Sequence, residues 1–512
     1  MRRRMLHMSP VFTAVVVSVS LTLSPGAQTA PLTGLDDLVA RGMKDWRVPG
    51  LAMAVAKDGQ IVLERGYGVR EIGKPAAVDS HTLFAIGSTT KAMTAALVGM
   101  LVDDKILGWD DPVVKHLPWF QLKDPAVTRE LTVRDLLTHR GGLGNADYLW
   151  YGQNNSTDEI LKRVRLIEPA YSVRSSFIYQ NIMYAAAGAV IEAAGRTSWA
   201  ETIRRRIFEP LGMRDSIATA ATLAARSNVA APHDIVGGRV RVIENMSVDP
   251  VASAGAVWSS VSDMARWMQF LLDGGRVGGS GGKRLLDEAT FAELFKPQTI
   301  APFEMYPTTR ITKPHWMTYG LGWFQQDYRG RAVDFHTGSI DGMVAIHGLI
   351  RDERLGVYVL ANLDHAELRH ALMYTVFDRY TGAPERDWSA ELLKLYTGIK
   401  RQADEVREKE EAKRVSGTTP SLPLAEYAGT YGDPLRGDAA VTLVNGGLRL
   451  RYGAGFVGPL EHWHYNTFRA KWTADWHAPA LVTFGLDETG RPTSVELMGG
   501  RFTRIVADTP RK

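Results

Sequence analysis

Residues 84–98 read Phe84-Ala-Ile-Gly-Ser-Thr-Thr-Lys-Ala-Met-Thr-Ala-Ala-Leu-Val98, the most informative stretch of this sequence. A strand or loop ending at Gly87 is followed by a sequence rich in alanine and leucine, which predicts a helix. Ser88 would lie in the first turn, where free backbone N–H groups favour developing negative charge. Lys91 would lie on the same face and reach the serine oxygen. Because a buried lysine loses its proton readily, the pair predicts a nucleophilic hydroxyl beside an amine.

Two further motifs follow downstream. Tyr179-Gln180-Asn181 lies where a polar and aromatic stretch leads into an apolar helix, a common position for functional side chains. His336-Thr337-Gly338-Ser339 precedes an apolar run and predicts the edge of an antiparallel strand pair, with Gly338 allowing a ligand to approach the backbone. Taken singly, Tyr179 is as well explained as a packed aromatic and His336 as a hydrogen-bonded histidine. Together the motifs have the order S-x-x-K, S-D-N-like and K-T-G-like of serine penicillin-recognising enzymes.

On these motifs the chain resembles the β-lactamase/DD-peptidase superfamily, and specifically its class C-like serine hydrolase branch, which is penicillin-binding-protein-like. That branch carries Tyr-x-Asn where others carry Ser-Asp-Asn, as residues 179–181 do here. The resemblance extends over about residues 35–380. Further segments that resemble the branch are Leu136-Leu-Thr-His-Arg-Gly-Gly-Leu143, Ala254-Gly-Ala-Val-Trp-Ser-Ser-Val-Ser-Asp-Met-Ala-Arg-Trp267, Tyr319-Gly-Leu-Gly-Trp323 and Gly356-Val-Tyr-Val-Leu-Ala-Asn362.

The resemblance implies acyl transfer through a covalent acyl-enzyme. It makes Ser88 the nucleophile and places Lys91 and Tyr179 beside it for proton transfer. Lys91 would activate Ser88, and Tyr179 would carry the proton to the leaving group; which of the two is the formal base stays open. Because a cation lies nearby, we expect the phenol pKa of Tyr179 to fall.

The resemblance also assigns the substrate contacts. The backbone N–H groups of Ser88 and Ser339 would form the oxyanion hole, which contributes about 2.7–4 kcal/mol per donor in other enzymes. Asn181 would hydrogen-bond the acyl side of the substrate. The segment His336-Thr337-Gly338 would line the opposite wall.

His336 departs from the usual pattern of this superfamily. β-Lactamases and DD-peptidases usually carry Lys at this position, where a fixed positive charge helps to anchor a substrate carboxylate. A histidine is mostly neutral at pH 7 unless its pKa is perturbed, so strong selection for a β-lactam or D-Ala-D-Ala carboxylate is not expected. Histidine variants resemble aminopeptidase, esterase and broad peptidase members. The expected order is a peptidase or amidase on short or unusual peptides, including those with D-residues, then an esterase, then a β-lactamase.

Residues 1–30 predict a secretory signal. Three arginines at residues 2–4 precede an apolar run over about residues 11–23, which is too short to span a bilayer. We expect cleavage within residues 26–30 and a periplasmic or secreted protein without stable membrane insertion; an uncleaved anchor is the alternative. Without the three arginines the formal charge of +4 becomes +1, so no nucleic-acid partner is expected. The chain has no cysteine, which excludes disulfides, a lipoprotein anchor and a cysteine nucleophile.

The apolar patterning predicts an α+β fold. Residues 51–68 predict a β-hairpin, helical patterns follow, and strands return at about residues 331–361. Strands at both ends with helices between them predict an antiparallel sheet flanked by helices, with a helical lobe and the active site in the cleft between sheet and lobe. This is also the fold that the resemblance implies. The helical patterns cover about residues 88–104, 131–138, 157–166, 180–194, 197–208, 262–273 and 287–296.

The remainder of the chain changes character. Residues 387–423 predict a charged, solvated helix and a linker, and short alternating strands with Gly, Asn and Asp turns then predict a small β-barrel that resembles the lipocalin-like domain of some class C-like hydrolases. The expected organisation is a signal peptide over residues 1–30, a hydrolase domain over 31–386, the helix and linker, and a barrel over 424–512. The barrel could shape the cleft, mediate oligomerisation or bind a ligand of its own.

No cofactor or metal is expected. His462 and His464 alternate on one predicted strand, but no third ligand lies near them in the sequence, so packing and hydrogen bonding explain them better than a metal. The expected partner is a small-molecule or peptide substrate, and the oligomeric state stays open. A different class of function is a non-hydrolytic penicillin-recognising binding protein; the complete set of Ser88, Lys91 and Tyr179 argues against it.

Overall fold

The structure is a computed structural model that describes residues 30–279 and 281–505. The predicted signal peptide therefore lies outside the described residues, except for Ala30, which begins a 3₁₀ turn at Ala30–Leu32. The described chain forms a sheet with flanking helices, followed by a closed barrel. None of the helices in these ranges is long and apolar enough to cross a membrane.

An eight-stranded antiparallel sheet, in the order β2-β1-β14-β13-β12-β11-β10-β9, forms the centre of the chain before the barrel. Strands from the two ends of this part of the chain become neighbours in the sheet, where β1 pairs with β14. The predicted α+β sheet is therefore confirmed. The strands here are β1 (Gly50–Lys57), β2 (Gln60–Gly68), β3 (Phe84–Ala85), β4 (His233–Val236), β5 (Arg239–Val242), β6 (Trp258–Ser259), β7 (Arg276–Val277), β8 (Lys283–Arg284), β9 (Thr299–Ile300), β10 (Met317–Tyr319), β11 (Phe324–Tyr328), β12 (Arg331–Ile340), β13 (Met343–Ile350) and β14 (Leu355–Ala361).

Helices cover both faces of the sheet and form a lobe beside it. Most lie between β2 and β9, as the sequence predicts, although several are single turns and residues 204–208 form a π-helix. The helices of this part of the chain are α1 (Leu35–Trp46), α2 (Thr90–Asp103), α3 (Val113–His116), α4 (Pro125–Glu130), α5 (Val133–Leu136), α6 (Thr157–Arg163), α7 (Asn181–Gly195), α8 (Trp199–Ile203), α9 (Glu209–Leu211), α10 (Ala252–Gly255), α11 (Val261–Leu272), α12 (Glu288–Leu294), α13 (Thr309–Thr312) and α14 (Leu368–Thr381).

The sequence of β1 shows why the sheet is covered on both faces. Its alternate residues enter different cores, because successive side chains of a strand point to opposite faces. The larger side chains of Leu51, Met53 and Val55 pack with α1 and α14, whereas three alanines at positions 52, 54 and 56 pack in the core that contains α11. Small residues on that face allow the helix to approach the sheet closely.

Helix α2 is the central helix between sheet and lobe. All of its residues from Thr90 to Leu101 are buried. An alanine-rich sequence suits this position because it packs on every side while keeping high helix propensity. The helix therefore places its first turn, which contains Lys91, inside the protein.

The C-terminal part is a separate β-structure reached through a long helix, α15 (Trp388–Ala412), and a short one, α16 (Leu424–Tyr427). Alternation in Leu448-Arg-Leu-Arg-Tyr452 places the apolar residues inside and the arginines outside. The interior is packed with aromatic side chains, including Tyr427, Phe468 and Phe484. The strands of this closed barrel are β15 (Gly429–Asp433), β16 (Gly437–Val444), β17 (Gly447–Tyr452), β18 (Phe456–His464), β19 (Thr467–Ala470), β20 (Ala480–Leu486), β21 (Pro492–Leu497) and β22 (Gly500–Ile505).

The barrel contacts the part of the chain that forms the large sheet at the loop around Gly152. The Gly152 carbonyl accepts hydrogen bonds from the backbone N–H groups of Ala454 and Gly455, each at 2.9 Å. The backbone of Gly152 has φ +65°, and a Cβ on it would lie 2.7 Å from the ring of Phe456. Next to it, the Tyr151 hydroxyl donates to the carboxylate of Asp341, 2.9 Å from each oxygen, in the turn between β12 and β13. The barrel is thereby fixed beside the strand that carries the third motif.

Candidate active site

Ser88 lies in a 3₁₀ turn, Gly87–Thr89, between β3 and α2. The sequence placed it in the first turn of the helix itself; the helix begins two residues later, at Thr90. The turn is anchored by Thr89, whose hydroxyl donates to the Ile86 carbonyl at 2.8 Å and lies 2.6 Å from the Tyr358 hydroxyl on β14. Ser88 is thus held on a turn fixed to the sheet, with its side chain partly exposed.

Lys91 is fully buried beside Ser88. Its Nζ lies 2.9 Å from Ser88 Oγ, 2.8 Å from Asn181 Oδ1 and 2.9 Å from the Ala254 carbonyl oxygen. Burial lowers the pKa of Lys91 well below its usual value, against a smaller opposing effect of the Asp147 carboxylate. The sequence argument for an amine that loses its proton readily therefore agrees with the surroundings of Lys91.

The three contacts indicate how a neutral Lys91 would be oriented. The oxygens of Asn181 and Ala254 can only accept hydrogen bonds, so they take the two amine hydrogens. The nitrogen lone pair is then left for the Ser88 hydroxyl, which donates to it. This is the arrangement that removal of the serine proton requires.

Tyr179 lies two residues before the start of α7, with the centre of its ring 4.8 Å from Lys91 Nζ. Burial raises the pKa of its phenol well above the usual value, and a hydrogen bond to Ser88 lowers it by less. The expectation that a neighbouring cation would lower this pKa is therefore wrong for the free protein. Burial thus acts against the charged form of both groups, the ammonium of Lys91 and the phenolate of Tyr179.

Asn181 joins Lys91 to a residue that the sequence did not single out. Its amide nitrogen lies 3.1 Å and 3.2 Å from the two carboxylate oxygens of Asp147. Asp147 belongs to a 3₁₀ turn, Asp147–Leu149, in a loop without a recognisable motif. Asn181 is predicted to contact the substrate; here its carboxamide already bridges a lysine and a carboxylate.

Residues 337–340 of β12 pair with β13 alone, because the pairing between β11 and β12 ends at Phe335. The predicted free strand edge is thus present. A Cβ at Gly338 would lie 1.9 Å from the Ile86 oxygen and 3.1 Å from the Ser88 nitrogen. A Cβ at Gly87 would lie 2.8 Å from the Ser339 nitrogen. Glycine at both positions therefore lets the two backbone nitrogens assigned to the oxyanion hole lie close together.

His336 is buried beneath this edge. Its Nδ1–H donates to the Thr337 carbonyl at 2.6 Å, which leaves Nε2 to accept from the Tyr319 hydroxyl at 3.2 Å. Burial, the nearby Lys91 and the Arg369 guanidinium lower the pKa of His336 to about 3. The imidazole is therefore neutral at pH 7, which agrees with the expectation that this wall lacks the fixed positive charge of a lysine.

A buried ion pair lies behind the strand edge. The Arg369 guanidinium donates to the Gly338 carbonyl, to Ser339 Oγ at 3.0 Å and to the Ala345 carbonyl at 3.1 Å, and it is paired with Glu367 at 3.0 Å. Burial alone would raise the pKa of Glu367, but Arg369 and histidine hydrogen bonds hold it well below its usual value. Neither residue belongs to a motif, so sequence reasoning missed both.

The predicted site residues meet in one cleft with a volume of about 440 Å³. Ser88 and Tyr179 lie at one wall, and the His336–Ser339 edge lies at the other. Lys91 lies behind Ser88, and Gly338 supports the edge through its backbone. The side chains that line the cleft are Ser88, Asp147, Tyr179, Asn181, Met305, Tyr306, Pro307, Phe324, His336, Thr337, Ser339, His365, Glu367, Arg369, His370 and Tyr396.

A model of the Beta-lactamase family matches residues 35–378. The chain belongs to the β-lactamase family. A second model, for a domain of unknown function (DUF3471), matches residues 413–508 and includes the whole barrel. An unguisins hydrolase from Aspergillus violaceofuscus (strain CBS 115571) is 30% identical over 444 residues, which cover 80% of this chain and 76% of that protein. The resemblance inferred from the motifs is thus confirmed.

Solved structures extend the β-lactamase-family likeness to the whole fold. The octameric penicillin-binding protein homologue from Pyrococcus abyssi is 22% identical, with a TM-score of 0.60, over 91% of this chain and 98% of its own. SurE, also 22% identical, has a TM-score of 0.57 over 94% of this chain and 100% of its own. Together with the family match, these comparisons make the chain a hydrolase of the β-lactamase fold, in a family of serine hydrolases.

The described residues contain no group of three or more His, Asp or Glu side chains arranged to hold a metal ion. The two barrel histidines take part in hydrogen bonds with the backbone. His462 Nε2 lies 3.0 Å from the Tyr465 carbonyl oxygen, and His464 Nδ1 accepts from the Val415 N–H at 3.2 Å.

Proposed function

We propose that this β-lactamase-family protein is a serine hydrolase of the class C type that cleaves amide bonds of short or unusual peptides, including those with D-residues, through an acyl-enzyme on Ser88. The proposal rests above all on the three contacts of Lys91. A buried amine with two hydrogens held by carbonyl oxygens and its third contact at Ser88 Oγ is poised to activate that oxygen.

In the proposed first step, Ser88 Oγ attacks the substrate carbonyl carbon while Lys91 Nζ accepts the hydroxyl proton. The carbonyl electron pair moves onto the oxygen, which the N–H groups of Ser88 and Ser339 stabilise. The intermediate collapses when the bond to the leaving nitrogen breaks, and the proton passes from Lys91 through the Tyr179 hydroxyl to that nitrogen. Water then attacks the ester by the same proton route in reverse, which regenerates the Ser88 hydroxyl.

The charges in the cleft support a substrate that is not selected through a carboxylate. His336 is neutral, and the Arg369 guanidinium is already engaged by Glu367 and by backbone oxygens. Neither group offers a free positive charge at the strand edge. The relative named as an unguisins hydrolase is consistent with an unusual substrate rather than a β-lactam.

We further propose that the protein acts in the periplasm or outside the cell, as a soluble enzyme whose signal peptide has been removed. The basic start and short apolar run of residues 1–30 support this location. The proposed partner is a peptide or other small-molecule substrate and no nucleic acid. N-terminal sequencing of the exported protein tests the proposed location: a start within residues 27–31 is expected, and an uncleaved N-terminus would contradict the proposal.

The test of the activity combines active-site labelling with product analysis. Wild type, Ser88→Ala and the control Ser175→Ala, an exposed serine, would be treated with a fluorophosphonate and analysed by intact-protein mass spectrometry. Each would also be incubated with capped and free peptides of L- and D-residues and with matched esters. We expect one label and peptide cleavage in wild type and Ser175→Ala, and neither in Ser88→Ala.

Other outcomes would overturn parts of the proposal. Labelling with cleavage of esters alone would replace the peptidase by an esterase. Hydrolysis of penicillins in preference to peptides would make the protein a β-lactamase. Absence of both labelling and turnover in wild type would favour the binding-protein function.

A further inference from the structure

His139 is a buried residue that the proposed chemistry does not use. It lies in the Leu136–Leu143 segment, just after α5, and none of its side chain is exposed. Its backbone has φ +56°, in the left-handed region that few residues other than glycine adopt. Such strain persists only where the surroundings enforce it, and it is often found at functional sites.

His139 holds the backbone on both sides of Tyr179. Its carbonyl oxygen accepts a hydrogen bond from the Ile178 N–H at 3.1 Å. Its Nδ1 accepts one from the Gln180 N–H at 3.0 Å. Because these two N–H groups flank Tyr179 in the chain, a single residue fixes the entry to and the exit from that position. The left-handed backbone of His139 is what allows its carbonyl and its ring to reach both groups.

The His139 ring also packs on the phenol ring. The two ring centres are 4.2 Å apart with an angle of 33° between the planes. On its other sides the imidazole contacts the rings of Phe177, Tyr184 and Tyr319. His139 therefore holds Tyr179 by accepting hydrogen bonds from the N–H groups on either side of it and by one ring contact, while the Tyr179 hydroxyl remains beside Ser88. Phe324 also stacks on the phenol ring, with the ring centres 6.4 Å apart.

The Gln180 hydrogen bond also sets the form of the imidazole. Since Nδ1 accepts, it carries no hydrogen, and the ring is the neutral tautomer protonated at Nε2. Nε2 has no hydrogen-bond partner among the described residues. Burial, with the nearby Lys91 and His336, lowers the pKa of His139 well below its usual value. A protonated ring would put an N–H against the Gln180 N–H and break the contact.

We infer that His139 is a positioning residue for Tyr179, holding the phenol oxygen in line with Ser88 through its carbonyl, Nδ1 and ring; the inference rests on the proposed role of Tyr179 in proton transfer. It does not touch the substrate or the reacting atoms. Displacing a reacting group by about 1 Å can lower a rate about 10²-fold. Loss of the His139 side-chain contacts is therefore expected to reduce turnover while leaving substrate binding intact.

The test compares three substitutions. His139→Asn keeps an acceptor oxygen and tolerates the left-handed backbone, His139→Phe keeps a ring without the acceptor, and His139→Ala removes both. With the substrate found above, we expect kcat to fall about 10²-fold in the Ala and Phe variants, with KM within about twofold, and to recover largely in the Asn variant. Melting temperatures would identify any variant that fails to fold; the Asn and Phe pair keeps the test decisive if Ala is unfolded.

Repeating the substitutions of His139 in a Tyr179→Phe protein distinguishes a positioning role from a general loss of structure. In Tyr179→Phe, which has no phenol hydroxyl to align, His139→Asn and His139→Phe should have equal kcat. Equal kcat of Asn and Phe in the Tyr179 protein, or a KM effect alone, would overturn the inference. Failure of the proposed function would be recognised separately, because wild type itself would then show neither labelling of Ser88 nor turnover.

Discussion

Lys91 and Tyr179 experience the same physical effect with opposite consequences for charge. Burial disfavours every charged form, so it makes the amine lose its proton and the phenol keep its own. The free site therefore disfavours charge on both groups beside Ser88, and the amine, once deprotonated, is the stronger proton acceptor. Structural surroundings thus favour Lys91 as the group that first takes the serine proton, with Tyr179 as a relay.

Replacing Lys91 tests this assignment. Lys91→Arg places a permanent cation beside Ser88, and Lys91→Met removes the nitrogen, so neither can accept a proton. We expect both to reduce the rate of Ser88 labelling by about 10²-fold or more, measured by mass spectrometry over time. The exposed Lys74→Met is the control and should label as wild type does. Labelling of either Lys91 variant at the wild-type rate would contradict the assignment.

The lowered pKa of Lys91 also predicts how stability depends on pH. Between its folded pKa and the ordinary value of 10.5, the unfolded chain binds a proton that the folded chain does not. The free energy of unfolding therefore gains from this group as pH rises through that window. In urea titrations, the free energy of unfolding of wild type should rise relative to that of Lys91→Met between pH 7 and pH 9.5. A constant difference would show that Lys91 is not perturbed.

At the scale of elements, the site depends on the close approach of the Ser88 turn to strand β12. Gly338→Ala would force a Cβ to within 1.9 Å of the Ile86 oxygen, so the strand must move away from the turn. We expect Ser88 labelling to fall about 10²-fold, because the two oxyanion donors separate. Gly398→Ala, where a Cβ meets open space in helix α15, is the matched control and should leave the rate unchanged. Full labelling of Gly338→Ala would refute this account.

The parts of this site that the sequence predicts are those whose residues lie close together along the chain. The spacing of Ser88 and Lys91 on one helix start is readable because three residues separate them. Asp147 and Arg369 reach the site from segments without periodicity or motif, so long-range packing alone brings them there. The phenol pKa of Tyr179 was predicted in the wrong direction for a related reason: proximity to a lysine can be inferred from motifs, but burial depends on the completed fold.

For the whole molecule, the barrel extends the walls of the cleft. A cavity of about 220 Å³ adjoins Ser339 and is bounded by Tyr151 and Asp341 from the part of the chain that forms the large sheet and by Trp476 and His477 from the barrel loop between β19 and β20. The position of this loop favours the first of the three roles considered for the barrel, that of shaping the cleft.

Substitution of Trp476 tests that role. Trp476→Ala opens the cavity wall without removing any group proposed to react. We expect the ranking of kcat/KM across peptides of different length to change by about tenfold, while labelling of Ser88 by a small fluorophosphonate stays unchanged, because one side-chain contact contributes about 1–3 kcal/mol. The exposed barrel residue Tyr465→Ala serves as control. An unaltered ranking in Trp476→Ala would remove the barrel loop from substrate selection.

Acid stability is a further property of the whole chain. His139, His336, His347 and His370 are buried, and burial lowers the pKa of each, to about 3 for His336 and His347. Unfolding lets them bind protons below about pH 6.5, so the free energy of unfolding falls as pH falls from 6.5 towards 3. His347→Phe should make this decline shallower by up to about 1.4 kcal/mol per pH unit in urea titrations.

The matched control for that titration is His464→Gln, since the His464 ring is hydrogen-bonded to the Val415 backbone N–H rather than to a carboxylate. Carboxylates contribute equally to wild type and to both variants, so comparing slopes isolates the histidine. Parallel slopes for His347→Phe and wild type would mean that His347 titrates normally in the folded chain.

The pairing of β1 with β14 determines how late in translation the sheet can be completed. Ala54 lies opposite Tyr358, so the N-terminal hairpin gains its central neighbour only after about three hundred further residues have been translated. At about 5–20 residues per second, that interval is about 15–60 s. Until then one edge of β1 lacks its partner, and an unpaired strand edge is prone to aggregate. We therefore expect the unfinished chain to need chaperones, and a chain stalled before Leu355 cannot complete the sheet.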